Sequence, residues 1–460
     1  MKISADLILS ENQWHANAAL DIQGGQVIGI SSAEDVDQHF SDAVIIPGFA
    51  NPHSHCFQRL IRGQTEWVSA GSHDDFWSWR TAMYDASFRL TPDQLEVVAE
   101  WTFTEMLKAG ITAVGEFHYL HHQPDGTPYD QMSELSQRVI HAAERVGIRI
   151  THLPVAYARG GFKRSTTTQQ RRFINESPEQ FLSIVEELKQ LYDSHPTINI
   201  GLAPHSVRAV DIAWLNACGQ AAKDWNMPIH IHACEQPREL IECNAEHGCT
   251  PIELLAAHHI LHERATLVHA THLSKSDVDL ISQTKSIVCA CPTTEANLGD
   301  GFVPSRELLT QGVRIALGTD SHAQIDLFQE ARLVDMQARL LTQARNPLAQ
   351  FTRTNSTQLK TSDVLWPMMT TNGYASLGLH GGTLAPGSLA DFIVLDRHHA
   401  SCFGTRKSDL LSSLILAGQP DMVKAVYVNG EPVIHDGRAR TESATRQRYL
   451  QTFKSLYQET

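Results

Sequence analysis

The stretch Val44-Ile45-Ile46-Pro47-Gly48-Phe49-Ala50-Asn51-Pro52-His53-Ser54-His55 carries an apolar run that leads into two histidines. A short, nearly continuous apolar run is typical of a strand that is buried on both faces. Side chains alternate along a strand, so His53 and His55 face the same side and can reach one metal ion. Two unrelated polar histidines at a turn would give the same local pattern, so the rest of the chain has to decide.

Seven more apolar runs follow the first run, Val44–Phe49. They are Ile111–Tyr119, Ile148–Tyr157, Ile198–Val207, Met227–Glu235, Ala265–Leu273, Ser286–Pro292 and Val313–His322. Helix-like segments lie between them, including Leu95–Ala109, Glu134–Val146, Pro178–Tyr192 and Asp211–Trp225. Eight strand–helix units predict an α/β protein with a closed (β/α)8 barrel, the TIM barrel. A doubly wound open sheet is the alternative, but no glycine-rich dinucleotide fingerprint follows the early strands.

Both ends of the chain differ from this pattern, because they alternate short strands with turns. Residues 1–43 and residues 381–436 are each too short to fold well alone. We therefore predict a small β-sandwich domain formed from both termini beside a barrel of residues 44–380. Residues 437–460 are predicted to add a closing helix.

Composition and charge exclude several classes of protein. The 460 residues are 42% hydrophobic and 19% charged, which suits a large folded core. The formal charge of −14, with no basic run, argues against a nucleic-acid partner. We expect no membrane partner, because no apolar stretch is long enough to span a bilayer and no secretory signal is present. The scattered cysteines indicate reduced thiols of a cytoplasmic protein.

Polar side chains follow the ends of several predicted strands, where barrel enzymes place their active sites. The fifth strand ends in His230-Ile231-His232-Ala233-Cys234-Glu235, the sixth in His269-Ala270-Thr271-His272 and the eighth in Gly318-Thr319-Asp320-Ser321-His322. Burying such groups is costly unless they are paired or bound to a metal, so the pattern predicts a metal centre.

Two absences narrow the chemistry at that centre. The fourth run, Ile198–Val207, contains no lysine that could be carbamylated to bridge two metal ions. The sequence also has no Gly-x-Ser-x-Gly elbow for a serine nucleophile. One metal ion that activates one water molecule is therefore the economical mechanism.

These motifs together resemble the amidohydrolase superfamily. They are Pro47-Gly48-Phe49 before His53-Ser54-His55, His232 followed by Glu235, His269, Asp320 after the eighth strand, and the tail Gly382–Asp396. Within the superfamily, the chain resembles the formimidoylglutamate deiminases over nearly its whole length. The strings that carry this resemblance are His55–Arg59, Phe76–Tyr84, Glu116–His122, Gln170–Asn175, His205–Val210 and Thr294–Gly301.

The resemblance implies a zinc-dependent hydrolysis of N-formimino-L-glutamate to N-formyl-L-glutamate and ammonia in histidine degradation. It implies that one Zn2+ per chain is held by His53, His55, His232 and Asp320. Asp320 would also take a proton from the attacking water. His269 would orient the nucleophile and stabilise the tetrahedral intermediate, and Glu235 would pass a proton to the departing nitrogen.

Substrate contacts are also expected from the resemblance. The substrate carries two carboxylates, and arginine grips a carboxylate with two parallel hydrogen bonds. Arg80 and Arg208 are the expected clamps, and Gln58, Tyr119 and His205 are expected to form hydrogen bonds with the substrate. From composition alone, each arginine would be read as a solvated surface charge. Trp77 and Trp79 are expected to pack the loop that carries Arg80, and Arg59, Glu295 and Asn297 are weaker candidates.

Two alternatives stay open at this point. A nucleobase, S-adenosylhomocysteine or triazine deaminase with the same metal ligands would have an aromatic pocket without carboxylate-binding groups. An inactive barrel used for binding would have lost ligands. A homodimer is expected, because it is common for such barrels.

Overall fold

The computed structural model describes residues 1–68, 74–352 and 358–457. Residues 458–460, the end of the predicted closing segment, lie outside the described residues. The strands are β1 Lys2–Ser10, β2 Gln13–Gln23, β3 Gln26–Ser32, β4 Gln38–Pro47, β5 Phe49–Ser54, β6 Ile111–His118, β7 Arg149–Ala156, β8 Ile198–Ile200, β9 Ala203–Pro204, β10 Ile229–Ala233, β11 Ala265–His269, β12 Ile287–Ala290, β13 Arg314–Leu317, β14 Phe392–Asp396, β15 Val423–Val428, β16 Glu431–His435 and β17 Arg438–Ala439.

The helices are α1 Phe76–Arg89, α2 Pro92–Lys108, α3 Glu134–Val146, α4 Pro178–Leu191, α5 Ile212–Asp224, α6 Pro237–His247, α7 Pro251–Ala257, α8 Lys275–Thr284, α9 Pro292–Leu298, α10 Ser305–Thr310, α11 Leu327–Thr342, α12 Thr361–Met369, α13 Thr371–Ser376, α14 Leu410–Ala417 and α15 Glu442–Tyr457. Local sequence sets their ends. Before α2, the Thr91 side chain accepts a hydrogen bond from the backbone of Gln94, and Pro92 occupies the first turn. At the end of α3, Gly147 adopts a left-handed conformation with φ 81°.

The barrel strands are parallel and close into a ring. β5, β6, β7 and β8 pair in one series, β10, β11, β12 and β13 pair in a second, and β9 continues β8 beside β7. Parallel bridges from Ser54 to Asp320 and from Leu202 to Ile229 join the two series at both seams. The predicted (β/α)8 barrel is confirmed. Because all strands run in the same direction, their carboxyl ends meet at one face.

α13 and the turn after it close the opposite face. His230 Nε2 donates to Ser376 O at 2.9 Å, and the Thr151 hydroxyl donates to Leu377 O at 3.0 Å. These contacts satisfy polar groups near the amino ends of the strands.

The two termini build a second sheet, which confirms the predicted small β domain. Its strand order is β17-β16-β15-β14-β4-β1-β2-β3. One face encloses a small apolar core in which Phe392 and Tyr427 stack with their ring centroids 4.4 Å apart. A buried ion pair joins this domain to the barrel, because Arg149 of β7 donates from Nε and Nη2 to the two oxygens of Asp391 at 2.7 and 2.9 Å.

The prediction that Val44–Phe49 forms the first barrel strand is wrong. Residues 44–47 end β4, which pairs with β1 and β14 in the terminal sheet, and the first barrel strand begins at Phe49. The chain crosses between the domains at Gly48, where an added Cβ would lie 2.1 Å from Thr112 Oγ1. Two consecutive buried strands are both apolar, so hydrophobicity alone could not separate them.

The segment 381–436 also contains an unpredicted helix, α14, which packs on α11 and α12 of the barrel. All eight cysteines are free thiols in the structure. Among the described residues, no helix is both long enough and apolar enough to cross a membrane.

Candidate metal centre and active site

Four potential metal ligands converge at the carboxyl face of the barrel. His53 lies on β5, His55 follows it, His232 lies on β10 and Asp320 follows β13. The Nε2 atoms of His53 and His55 each lie 3.3 Å from Asp320 Oδ1, and His232 Nε2 lies 3.1 Å from His53 Nε2. One ligand atom from each residue falls within 4.8 Å of all the others.

Hydrogen bonds at the far side of two rings fix their tautomers. His55 Nδ1 donates to Phe117 O at 2.8 Å, and His232 Nδ1 donates to His205 O at 3.0 Å. With the proton on Nδ1, a neutral ring presents the lone pair of Nε2 to the centre. A ligand imidazole bonded to a backbone carbonyl in this way is the usual arrangement in metal sites.

The protonation states also suit a divalent cation. Burial lowers the pKa of His53 to about 3 and holds the pKa of His232 well below its usual value, so both rings are neutral near pH 7. Burial alone would raise the pKa of Asp320, but the hydrogen bond from His53 and the nearby rings of His55 and His269 bring it below the usual range. Three neutral imidazoles and one carboxylate are a donor set that fits a divalent metal ion.

The backbone around the centre is held in an uncommon conformation. Asp320 and His269 have φ values of 44° and 71°, and neither is glycine. Asp320 is secured on both sides, because its N donates to His53 O at 3.0 Å and its O accepts from His55 N at 3.1 Å. Left-handed non-glycine residues cost free energy and persist where the surroundings impose them, which occurs often at functional sites.

A second polar group lies beside the ligands. His269 Nε2 is 3.6 Å from Glu235 Oε1 and 3.9 Å from Asp320 Oδ2, and His269 Nδ1 is 3.4 Å from Glu295 Oε1. Burial alone would lower the pKa of His269, but Glu235, Glu295 and Asp320 together raise it well above its usual value. Both ring nitrogens of His269 therefore face carboxylates.

One pocket brings the remaining predicted residues to the ligands. Its wall includes Gln58, Arg80, Tyr119, His205 and Arg208 together with His55, His232, Glu235, His269 and Asp320. His53 is fully buried below them. The structure thus gathers the main predicted site residues at one place, whereas the weaker candidates Arg59 and Asn297 bond Glu105 and Glu66.

Two contacts orient groups in this wall. Gln58 Nε2 donates to the Tyr119 hydroxyl at 2.8 Å, and Arg80 Nη2 donates to the Tyr157 hydroxyl at 2.7 Å. Trp79 also lines the pocket, contrary to the expectation that it only packs the loop, whereas Trp77 packs against Phe76 and Arg238.

Several residues of the site could not be found by sequence reasoning. Phe76, Met83 and Leu298 add apolar wall, and Tyr157 holds Arg80. Glu239 lies in the first turn of α6, four residues after Glu235, and its burial raises its pKa to about 7. Glu295 was a weak candidate in the sequence, and the structure places it against His269.

The family of this protein follows from its similarity to known proteins. The pattern that defines the amidohydrolase family matches residues 44–433. This chain belongs to the amidohydrolase family. A relative, the formimidoylglutamate deiminase of Pseudomonas aeruginosa, is 36% identical over 456 residues, which is 99% of this chain and 95% of that protein. The resemblance seen in the sequence is therefore confirmed.

Two solved structures have the same fold. An amidohydrolase from Brucella melitensis superposes with a TM-score of 0.90 and is 35% identical, covering 99% of both chains. An adenosine deaminase from Xanthomonas campestris, solved with bound zinc, has a TM-score of 0.82 and 20% identity over 99% of this chain and 98% of that chain. The second likeness concerns the fold alone.

Proposed function

We propose that this protein hydrolyses N-formimino-L-glutamate to N-formyl-L-glutamate and ammonia, as a step of histidine degradation. The observation that carries the proposal is that Arg80 and Arg208 line the same pocket as the metal ligands and Glu235. Two arginines in one buried pocket suit a substrate with two carboxylates. The Pseudomonas aeruginosa relative, which is 36% identical over 99% of this chain, carries the name of this activity.

The metal ion is proposed to be one zinc per chain, held by His53, His55, His232 and Asp320. Nitrogen and carboxylate donors suit zinc, and the Xanthomonas campestris structure of the same fold holds zinc. Bound zinc would lower the pKa of a water molecule from about 15.7 to about 7. Two other groups of possible ligands both include His269, which the mechanism uses for the substrate.

Side chains of the pocket are proposed to carry out the separate proton transfers. Water adds to the formimino carbon, and the C–N bond to the terminal nitrogen breaks, so the amidine and one water become an amide and ammonia. Asp320, whose Oδ2 lies 3.9 Å from His269 Nε2, is proposed to accept a proton from the attacking water. His269 is proposed to donate to the oxygen that gains charge, and Glu235 to pass a proton to the departing nitrogen.

The pocket wall also orients the substrate. The Arg80 and Arg208 guanidinium groups are proposed to hold one carboxylate each. Gln58, Tyr119 and His205 are proposed to bond polar atoms between them, and Gln58 Oε1 is buried without a hydrogen-bond partner among the described residues. A homodimer located in the cytoplasm is proposed on the same family grounds.

Replacing either arginine should strongly reduce the specificity constant. In Arg80→Met or Arg208→Met, one substrate carboxylate would be left unpaired in a desolvated pocket, which costs roughly 2–5 kcal/mol, or on the order of 10² to 10³ or more in kcat/KM. Zinc content should not change. Lysine should rescue poorly, because a point charge cannot reproduce the planar fork.

The test is to measure steady-state kinetics with N-formimino-L-glutamate and the metal content of each variant. The exposed Arg171, which donates to the backbone oxygens of Thr168 and Asp125, gives a matched control as Arg171→Met. If both pocket variants kept the wild-type kcat/KM, the clamp would be refuted, and with it most of the case for this substrate.

A further inference from the structure

The pocket wall holds one guanidinium between two carboxylates. Arg208 Nη2 lies 3.1 Å from Glu235 Oε2, and Arg208 Nε lies 4.0 Å from Glu239 Oε2. The three side chains are at most 8% exposed. Arg208 Nε and Nη1 are buried and have no hydrogen-bond partner among the described residues. Arg208 therefore has N–H donors that can bind one more carboxylate.

The two carboxylate oxygens of Glu235 contact different groups of the active site. Oε2 pairs with Arg208, and Oε1 lies 3.6 Å from His269 Nε2. To pass a proton to the departing nitrogen, Glu235 has to turn one oxygen toward the substrate. The contact between Arg208 and Oε2 opposes that movement, because breaking a buried ion pair is costly unless another partner replaces it.

We infer that a substrate carboxylate on Arg208 replaces Glu235 as its partner and so releases Glu235 for proton transfer. The inference rests on the proposed function. The incoming carboxylate supplies the replacement charge, and Glu239 remains near Nε as a second carboxylate. Arg208 then acts as a positioning residue for Glu235 as well as a substrate clamp. A substrate without that carboxylate would fill the pocket while Glu235 stayed paired.

Arg80, the other arginine of the pocket, has different partners from Arg208. Its Nη2 donates to the Tyr157 hydroxyl, which also accepts from Gln170 Nε2 at 2.9 Å. Within the described part of the chain, Arg80 forms no ion pair with Glu235. A carboxylate bound by Arg80 therefore contributes to affinity without releasing a proton-transfer group, so its loss should change KM more than kcat.

The experiment compares N-formimino-L-glutamate with its two monoamides, N-formimino-L-glutamine and N-formimino-L-isoglutamine. With the wild-type enzyme, one monoamide should have a kcat about 10²-fold lower than that of the parent substrate. The other should keep kcat within about threefold but have a higher KM. In Arg208→Met, the kcat difference between the parent substrate and the first monoamide should disappear. In Arg80→Met, that kcat difference should persist, while the extra KM penalty of the second monoamide disappears.

The outcomes separate the coupling from the proposed function. If the enzyme turns over the parent substrate and both monoamides differ from it only in KM, the coupling between Arg208 and Glu235 is refuted. The proposed function is then unaffected. A kcat difference that persists in Arg208→Met also refutes the coupling, because the effect would then not pass through Arg208. Absence of ammonia release from the parent substrate by the wild-type, zinc-loaded enzyme overturns the proposed function, and the coupling with it.

Discussion

Glu235→Gln is expected to keep the metal bound and to reduce kcat by about 10²–10⁴-fold, the usual contribution of general acid–base catalysis. Glutamine has nearly the same shape and can still contact Arg208, but it cannot pass a proton to the departing nitrogen. Glu235 is not among the grouped ligands His53, His55, His232 and Asp320, so zinc should remain.

The measurement is the rate of ammonia release at saturating N-formimino-L-glutamate, with zinc content determined on the same samples. Glu242→Gln is a matched control, because Glu242 lies on α6 two turns from Glu235 and pairs with Arg238 and Arg164 outside the pocket. Near-normal turnover of Glu235→Gln would show that another group moves the proton.

His53→Ala is expected to lose the metal and the activity together. The His53 ring lies at the centre of the ligand cluster, 3.1 Å from His232 Nε2 and 3.3 Å from Asp320 Oδ1. Without it, three ligands remain and the site no longer closes around the ion. Because the bound ion would activate the water, turnover should fall by at least about 10³-fold.

His230→Gln is the matched control for this variant. His230 also lies inside the barrel, two residues before the ligand His232, but it bonds Ser376 O near the amino ends of the strands. It should keep one zinc per chain and most of the activity. A His53→Ala protein with full zinc and normal turnover would contradict the ligand assignment. Two zinc ions in the wild type, both needed for turnover, would contradict the mononuclear centre.

Much of the site could be predicted because its signals are local. The His53-Ser54-His55 spacing places both rings on one side of a strand, and strand ends of one barrel meet at one face. The partition of Val44–Phe49 between two sheets could not be predicted, since it depends on pairing with β1 and β14, far away in sequence.

The contacts that orient the catalytic groups were also beyond local reasoning. Tyr157 and Arg80 are separated by 77 positions in the chain, and they meet only because α1 folds over the barrel face. The pairing of Arg208 with Glu235 depends on two different strand ends. Such side-chain pairs follow from three-dimensional packing, and a single sequence contains no periodicity that reveals them.

The most direct test of the proposed function is ammonia release by the zinc-loaded protein from N-formimino-L-glutamate, measured beside adenine, guanine, cytosine and S-adenosylhomocysteine. Because two arginines line the pocket and are proposed to bind the substrate carboxylates, kcat/KM for N-formimino-L-glutamate should exceed the others by about 10⁴-fold or more. Ammonia released at a higher kcat/KM from any of the nucleobases or from S-adenosylhomocysteine would contradict the account.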